Sequence, residues 1–134
     1  MLQHSDWQRR AAEQGFITQA LIDGQWRPAQ SGATFTSVNP ANNQVLAEVA
    51  ACDAADVDAA VASARQAFEL GPWARMAPRE RKQVLLRLAE LILANREELA
   101  LLDSLNMGKP VMDAYTIDVP GAANVFAWYA EALD

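Results

Sequence analysis

The sequence predicts an α+β fold, an N-terminal β-hairpin layer followed by helices, and three observations point to it. Residues 16–50 alternate apolar and polar side chains and are broken by Asp23-Gly24 and Asn39-Pro40, which turn or stop strands. From Asp53 onward the apolar period lengthens to that of a helix. Of 134 residues, 51% are hydrophobic and 21% charged, enough to bury one modest core.

Taken in order, residues 5–14 read as a short helix with Ser5 and Gln8 as its capping box, Gly15 after its end, and Trp7 and Ala11 turned inward. Residues 21–26 read as a hairpin, because Asp-Gly tolerates the positive φ angles of a type I′ turn. Thr34–Val38 reads as a strand ended by Asn39-Pro40, and Gln44–Ala50 as its partner with Val45, Ala47 and Val49 on one face, giving one antiparallel layer of three or four strands. Val57, Ala60, Val61, Ala64 and Phe68 form the buried stripe of a first long helix, capped by Asp53 and Asp56 and ended by Gly71-Pro72. A second helix starts near Pro78 with Val84, Leu85, Leu88, Leu91 and Ile92 inward. A third begins at an Asn95–Glu98 capping box and stops at Gly108-Lys109-Pro110. A last helix follows Asp118, with Pro120 in its first turn and Val119, Ala122, Ala123, Phe126, Ala130 and Leu133 inward. The final apolar residues carry no C-cap, which reads as an interrupted chain.

Composition excludes several functions. Eleven Lys+Arg against 17 Asp+Glu leave a net charge of −6, which disfavours nucleic acid and anionic membranes as partners. Neither a signal peptide nor an apolar run of membrane-spanning length is visible, so the expected compartment is the cytoplasm. A single Cys, Cys52, excludes an internal disulfide and a multi-cysteine zinc site. Cys52 reads as a small half-buried residue at a strand-to-helix join, because Asp53 and Asp56 oppose a thiolate there. His4, the single His, reads as solvated. Gly108-Lys109 lacks the flanking residues of a phosphate loop, and no G-x-G-x-x-G follows a strand. The basic stretch Arg75, Arg79, Arg81, Lys82 and Arg87 reads as a solvated or intersubunit face, and Glu97, Glu98 and Asp103 as first-turn and surface charges. These residues alone make no complete active site.

Specific strings add a resemblance. Phe35-Thr36-Ser37-Val38-Asn39-Pro40 followed by Asn42-Asn43-Gln44-Val45-Leu46 resembles the T-V-N-P-x-T-G-E-V-I segment of the aldehyde dehydrogenase superfamily. Asp56–Phe68, Gly71-Pro72-Trp73, Pro78–Arg81, Leu85–Ala89, Glu97–Ala100 and Leu105-Asn106-Met107-Gly108-Lys109-Pro110 are similar to its successive helices and their L-D-x-G-K-P exit, in the same order. The likeness covers Leu21 to Asp134. The early helix, Val119–Ala123 and Trp128–Ala132 most resemble the γ-glutamyl-γ-aminobutyraldehyde dehydrogenase branch.

The resemblance implies part of an α/β coenzyme-binding domain, with residues 1–20 a helical extension and 21–134 an incomplete opening portion. It implies oxidation of an aldehyde to a carboxylic acid with NAD or NADP, the substrate an ω-amino or γ-glutamylamino aldehyde of polyamine breakdown. A homo-oligomer, dimer or tetramer, is implied for the full-length protein. The nucleophilic Cys, the Glu and the dinucleotide site lie later in family chains, so no catalytic or cofactor-binding residue carries over, and the segment alone is expected to be inactive. Positions that do carry over are a monovalent-cation pair, Ser37 and Asn106, with Asn in place of the family's Asp, and a substrate-tunnel wall at Ile117, Asp118 and Gly121. Gly121 replaces larger side chains and widens the tunnel for longer or more polar aldehydes. Asp118 reads either as a group meeting a cationic or amide-bearing substrate or as a helix N-cap. A second reading, from a different class, is a complete short chain acting as a non-catalytic binding or assembly module.

Overall fold

The computed structural model describes residues 3–133. These form two compact units. One (Gly15–Val38 and Asn43–Arg75) combines short strands with one long and one single-turn helix; the other is helical and holds the described residues before Gly15, Asn39–Asn42 and those from Met76.

In the first unit, β1 (Ala20–Ile22) and β2 (Gln25–Arg27) pair antiparallel. Asp23 and Gly24, at φ 54° and 69°, make the expected type I′ turn. β3 (Thr34–Val38) pairs antiparallel with β4 (Val45–Ala50). The expected single layer is instead two separate two-stranded ribbons. Strands of three residues in the first ribbon offer too few ladder bonds to extend a sheet, and one backbone bond, Ala50 N to Thr18 O at 2.8 Å, links the regions. The expected alternation of β4 also fails. Ser37 faces Ala47 but Val38 faces Val45, so Leu46 is an extra residue in the ladder. That bulge leaves Val45 exposed and Leu46 and Ala47 both half-buried.

α2 (Ala54–Leu70) begins at the predicted cap: Asp53 Oδ1 accepts from Ala55 N at 2.9 Å, and Asp56 Oδ2 accepts from Asp53 N at 3.1 Å. Its apolar stripe, expected inward, faces outward; Val57, Val61 and Phe68 are all exposed. Polar bonds orient the helix instead. The buried Asp56 also accepts from Gln30 N at 3.0 Å, and Ser63 Oγ donates to Asp23 Oδ1 at 3.4 Å. Gly71 ends α2, and Pro72 at once opens a single-turn helix, α3 (Pro72–Arg75). Cys52 is exposed rather than half-buried, because it falls in the open loop between β4 and α2.

In the helical unit, α1 (His4–Glu13) starts one residue before the predicted point. Its cap is Gln3, whose N–H donates to Asp6 Oδ2 at 2.9 Å; a carboxylate outcompetes the Ser5–Gln8 box because it is the stronger acceptor. Trp7 is buried as expected. α4 (Pro78–Ala94) buries Ala89 and half-buries Leu85 and Ile92, while Val84, Leu88 and Leu91, expected inward, stay exposed. α5 (Arg96–Met107) does not use the predicted Asn95–Glu98 box; Asn95 Nδ2 donates back to Leu91 O at 2.8 Å. It ends on Gly108 at φ 75°, whose N–H reaches Ser104 O.

The last helical stretch begins earlier than the sequence suggests. α6 (Val111–Asp113) runs through a π turn (Ala114–Asp118) into α7 (Val119–Glu131). Asp118 has helical angles and caps nothing, and Pro120 sits well inside the stretch rather than at its start. The wider π turn makes this possible, since Val119 N–H reaches back five residues to Ala114 O. Ala122 and Phe126, expected inward, are exposed, while Val119, Ala123 and Ala130 are buried. The core of this unit is built on Ala100, Ala114 and Val119, flanked by Ile92, Val111 and Tyr115; small side chains let α5 and the π turn approach closely. Among the described residues no helix is long and apolar enough to cross a membrane.

Candidate functional site

The π turn and α7 carry the three predicted wall residues, so the site is built on them. Ile117 closes toward the end of the π turn and is 63% exposed. Gly121 lies four residues on, and a Cβ added there meets nothing within 4 Å. Side chains four apart share a helix face. Val125, another four residues on, and Trp128 extend that face and are exposed, and Trp128 meets Tyr129 edge-on at 4.9 Å between ring centroids. The result is an open apolar strip whose middle has no side chain.

Asp118 sits beside that strip and is already partnered. Its carboxylate pairs with the Lys109 ammonium. The side-chain hydrogen bond to Asp118 raises the Lys109 pKa above its ordinary 10.5, with Asp103 and Asp113 adding to the effect. Both partners are about one-third exposed, so the pair remains in contact with solvent. On its far side Asp118 joins Ile92, Leu99, Asp103, Val119 and Ala122 around an open hollow of about 390 Å³.

The two cation candidates lie in different units. Ser37 is half-buried in β3, opposite Ala47. Asn106 is exposed near the end of α5, and its Nδ2 donates to Leu102 O at 3.0 Å. Of the basic stretch, Lys82 pairs with Glu131 at 2.8 Å and Arg87 with Glu90 at 2.9 Å. Glu97 pairs with Arg10 at 2.7 Å.

A dinucleotide pyrophosphate needs open amides at a strand-to-helix turn. The turn after β4 commits its amides to Asp53 and Asp56, both anionic, so it does not fit that group.

Sequence reasoning missed Arg96 and Tyr115. Arg96 Nε donates to Tyr115 O, and its guanidinium carbon lies 3.8 Å from the Tyr115 ring centroid. The available signal was Pro120, a residue without an N–H placed five positions after Tyr115.

The chain is 47% identical over its whole length to an aminoacetaldehyde dehydrogenase of Pseudomonas aeruginosa, and 41% identical over 128 residues to the NADP/NAD-dependent aldehyde dehydrogenase PuuC of Escherichia coli. It spans 27% and 26% of those proteins' lengths. Among solved structures, a γ-glutamyl-γ-aminobutyraldehyde dehydrogenase from Burkholderia cenocepacia is 51% identical, with a TM-score of 0.96 over 99% of this chain and 27% of its own. An indole-3-acetaldehyde dehydrogenase of P. syringae, solved with NAD+, is 46% identical with a TM-score of 0.97, over all of this chain and 27% of its own. The model of the aldehyde dehydrogenase family matches residues 26–134, most of the chain, and the chain belongs to that family.

Proposed function

We propose that this chain forms the N-terminal part of the coenzyme-binding domain of an NAD(P)-dependent aldehyde dehydrogenase, residues 1–20 as a helical extension and residues 21–134 as the opening of the domain. The observation that carries this reading is the family match over residues 26–134. The whole polypeptide oxidises an aldehyde to a carboxylic acid, the hydride passing to NAD(P), with its working groups in the part of the family sequence beyond this segment. This segment's share is shape: Ile117 and Gly121 form one wall of the substrate passage. Gly121 leaves room there, since nothing lies within 4 Å of an added Cβ. Asp118, balanced by Lys109, gives that wall a dipole rather than a net charge.

The substrate is an ω-amino or γ-glutamylamino aldehyde. Two features support it: the room at Gly121, and the names of similar proteins, an aminoacetaldehyde dehydrogenase and a γ-glutamyl-γ-aminobutyraldehyde dehydrogenase. The polypeptide works as a dimer or tetramer, and the exposed apolar stripe of α2 is consistent with further packing.

The test is to express the polypeptide that carries this segment and follow NAD+ and NADP+ reduction. Higher kcat/KM with γ-glutamylamino or ω-amino aldehydes than with short aliphatic ones is the expected result, with no turnover by the 134-residue chain alone. Turnover by the chain alone, or no aldehyde-dependent reduction by the longer polypeptide, overturns the proposal.

A further inference from the structure

The π turn that presents Ile117 is held from outside its own backbone. In its register Val119 N–H reaches Ala114 O, so the next donor, that of residue 120, would serve Tyr115 O. Residue 120 is Pro and has no hydrogen to give. Arg96, at the start of α5, supplies the missing donor: its Nε bonds Tyr115 O while its guanidinium carbon lies 3.8 Å from the Tyr115 ring centroid. Thr116 Oγ1, within the turn, donates to Met112 O of α6 at 2.7 Å and ties the turn to the helix before it. From α1, Trp7 meets the Tyr115 ring edge-on, 5.8 Å between centroids at 69°. Next to Arg96, Glu97 ties α5 to Arg10 of α1 at 2.7 Å. Two helices thus converge on Tyr115, two residues before Ile117.

A π turn shifts the phase of everything after it by one residue. Were it to relax to α-helical bonding, the face carrying Gly121 would rotate by about 100° relative to the preceding turn. We infer that Arg96 and Trp7 are positioning residues for substrate selection: by holding Tyr115 they maintain the π turn and so aim Ile117 and Gly121. The N-terminal helix then has a role beyond covering surface. This inference rests on the reading of Ile117 and Gly121 as substrate wall.

The experiment compares variants of the longer polypeptide on one short and one bulky aldehyde. Gly121→Leu tests the wall directly. Arg96→Lys keeps the charge but loses the planar donor and its stacking. Trp7→Leu loses the edge contact, and Trp7→Phe keeps a ring there. For Arg96→Lys the preference for the bulky aldehyde is expected to fall about tenfold, through KM, with kcat on the short aldehyde within about twofold. Trp7→Leu shows the same change at smaller amplitude and Trp7→Phe restores it, so the test does not depend on one variant folding. If Gly121→Leu changes the preference and neither Arg96→Lys nor Trp7→Leu does, the positioning inference is overturned and the wall reading stands. If Gly121→Leu changes nothing, the wall reading fails and takes the inference with it.

Discussion

Gln30 and Asp56 are far apart in sequence but joined in space: the Gln30 amide donates to Asp56 Oδ1 at 3.0 Å, and the same buried carboxylate takes the Asp53 amide at 3.1 Å. One side chain therefore caps α2 and pins the loop between β2 and β3. Asp56→Ala is expected to cost the strand unit about 2–3 kcal/mol, since it removes a charged acceptor and leaves two donors unmatched. Asp56→Asn, which keeps one acceptor oxygen, should recover about half of that cost. Urea unfolding measures both, and faster hydrogen exchange at the Gln30 amide locates the loss. An unchanged exchange rate there would show that the clasp is not formed in solution.

Gly108 ends α5 in the left-handed region at φ 75°, and a Cβ there would lie 3.0 Å from Pro40 Cγ. Gly108→Ala therefore meets backbone strain at a positive φ and a tight contact with the Pro40 ring. The expected cost is about 1–2 kcal/mol, seen as a lower denaturation midpoint with an unchanged slope. A substitution that leaves the midpoint in place contradicts the cap geometry.

The parts of the fold that were legible in the sequence are those set by local chemistry. Asp23-Gly24 dictates its turn, Asp53 and Asp56 dictate the start of α2, and Gly108 dictates the end of α5. What was not legible depends on partners distant in the chain. The stripe Val57, Val61 and Phe68 has the spacing of a buried face, yet polar bonds from Asp56 and Ser63 turn it outward. The bulge at Leu46 leaves no sign in an apolar alternation that reads as regular. Pro120 looks like a helix start, because a proline inside a helix is unfavourable unless something supplies its missing donor. That donor is Arg96, from another helix, and a scan of local patterns does not see it. For the candidate site, the positions Ile117, Asp118 and Gly121 came from family resemblance, whereas the Lys109 partner of Asp118 came only from the structure.

The Lys109–Asp118 pair predicts a pH dependence with a definite sign. Lys109 has a folded pKa raised above its ordinary 10.5, chiefly by its hydrogen bond to Asp118. A raised pKa on a base means that the folded state holds its proton more tightly than the unfolded state does. The pair's stabilisation is therefore fully present below pH 10.5 on the alkaline side and disappears as pH rises through the higher folded value. The stability difference between the native chain and Lys109→Gln should be flat from neutral pH up to 10.5 and be lost as pH rises above that. Denaturant titrations at a series of alkaline pH values measure it. A difference that grows with pH has the wrong sign for this pairing.

Gly121 gives the sharpest separation between stability and selectivity. It lies within α7, where glycine is an unfavourable helix residue, and nothing lies within 4 Å of the Cβ it lacks. On helix propensity alone, Gly121→Ala is expected to stabilise by about 0.5–1 kcal/mol, and Gly121→Leu by a similar or slightly smaller amount. At a position that only faces solvent, either substitution yields a more stable protein with unchanged substrate preference. If it is the open part of a substrate wall, the leucine side chain projects into the space that longer aldehydes need. In the polypeptide carrying this segment, Gly121→Leu should then lower kcat/KM for a bulky aldehyde about tenfold or more while leaving a short one nearly unaffected. Gly121→Ala should fall between the two. A gain in thermal midpoint together with a loss of only the bulky substrate is the signature of a residue kept small for access. A gain with no change in preference would assign Gly121 to the exterior and remove the strongest reason for expecting a long substrate.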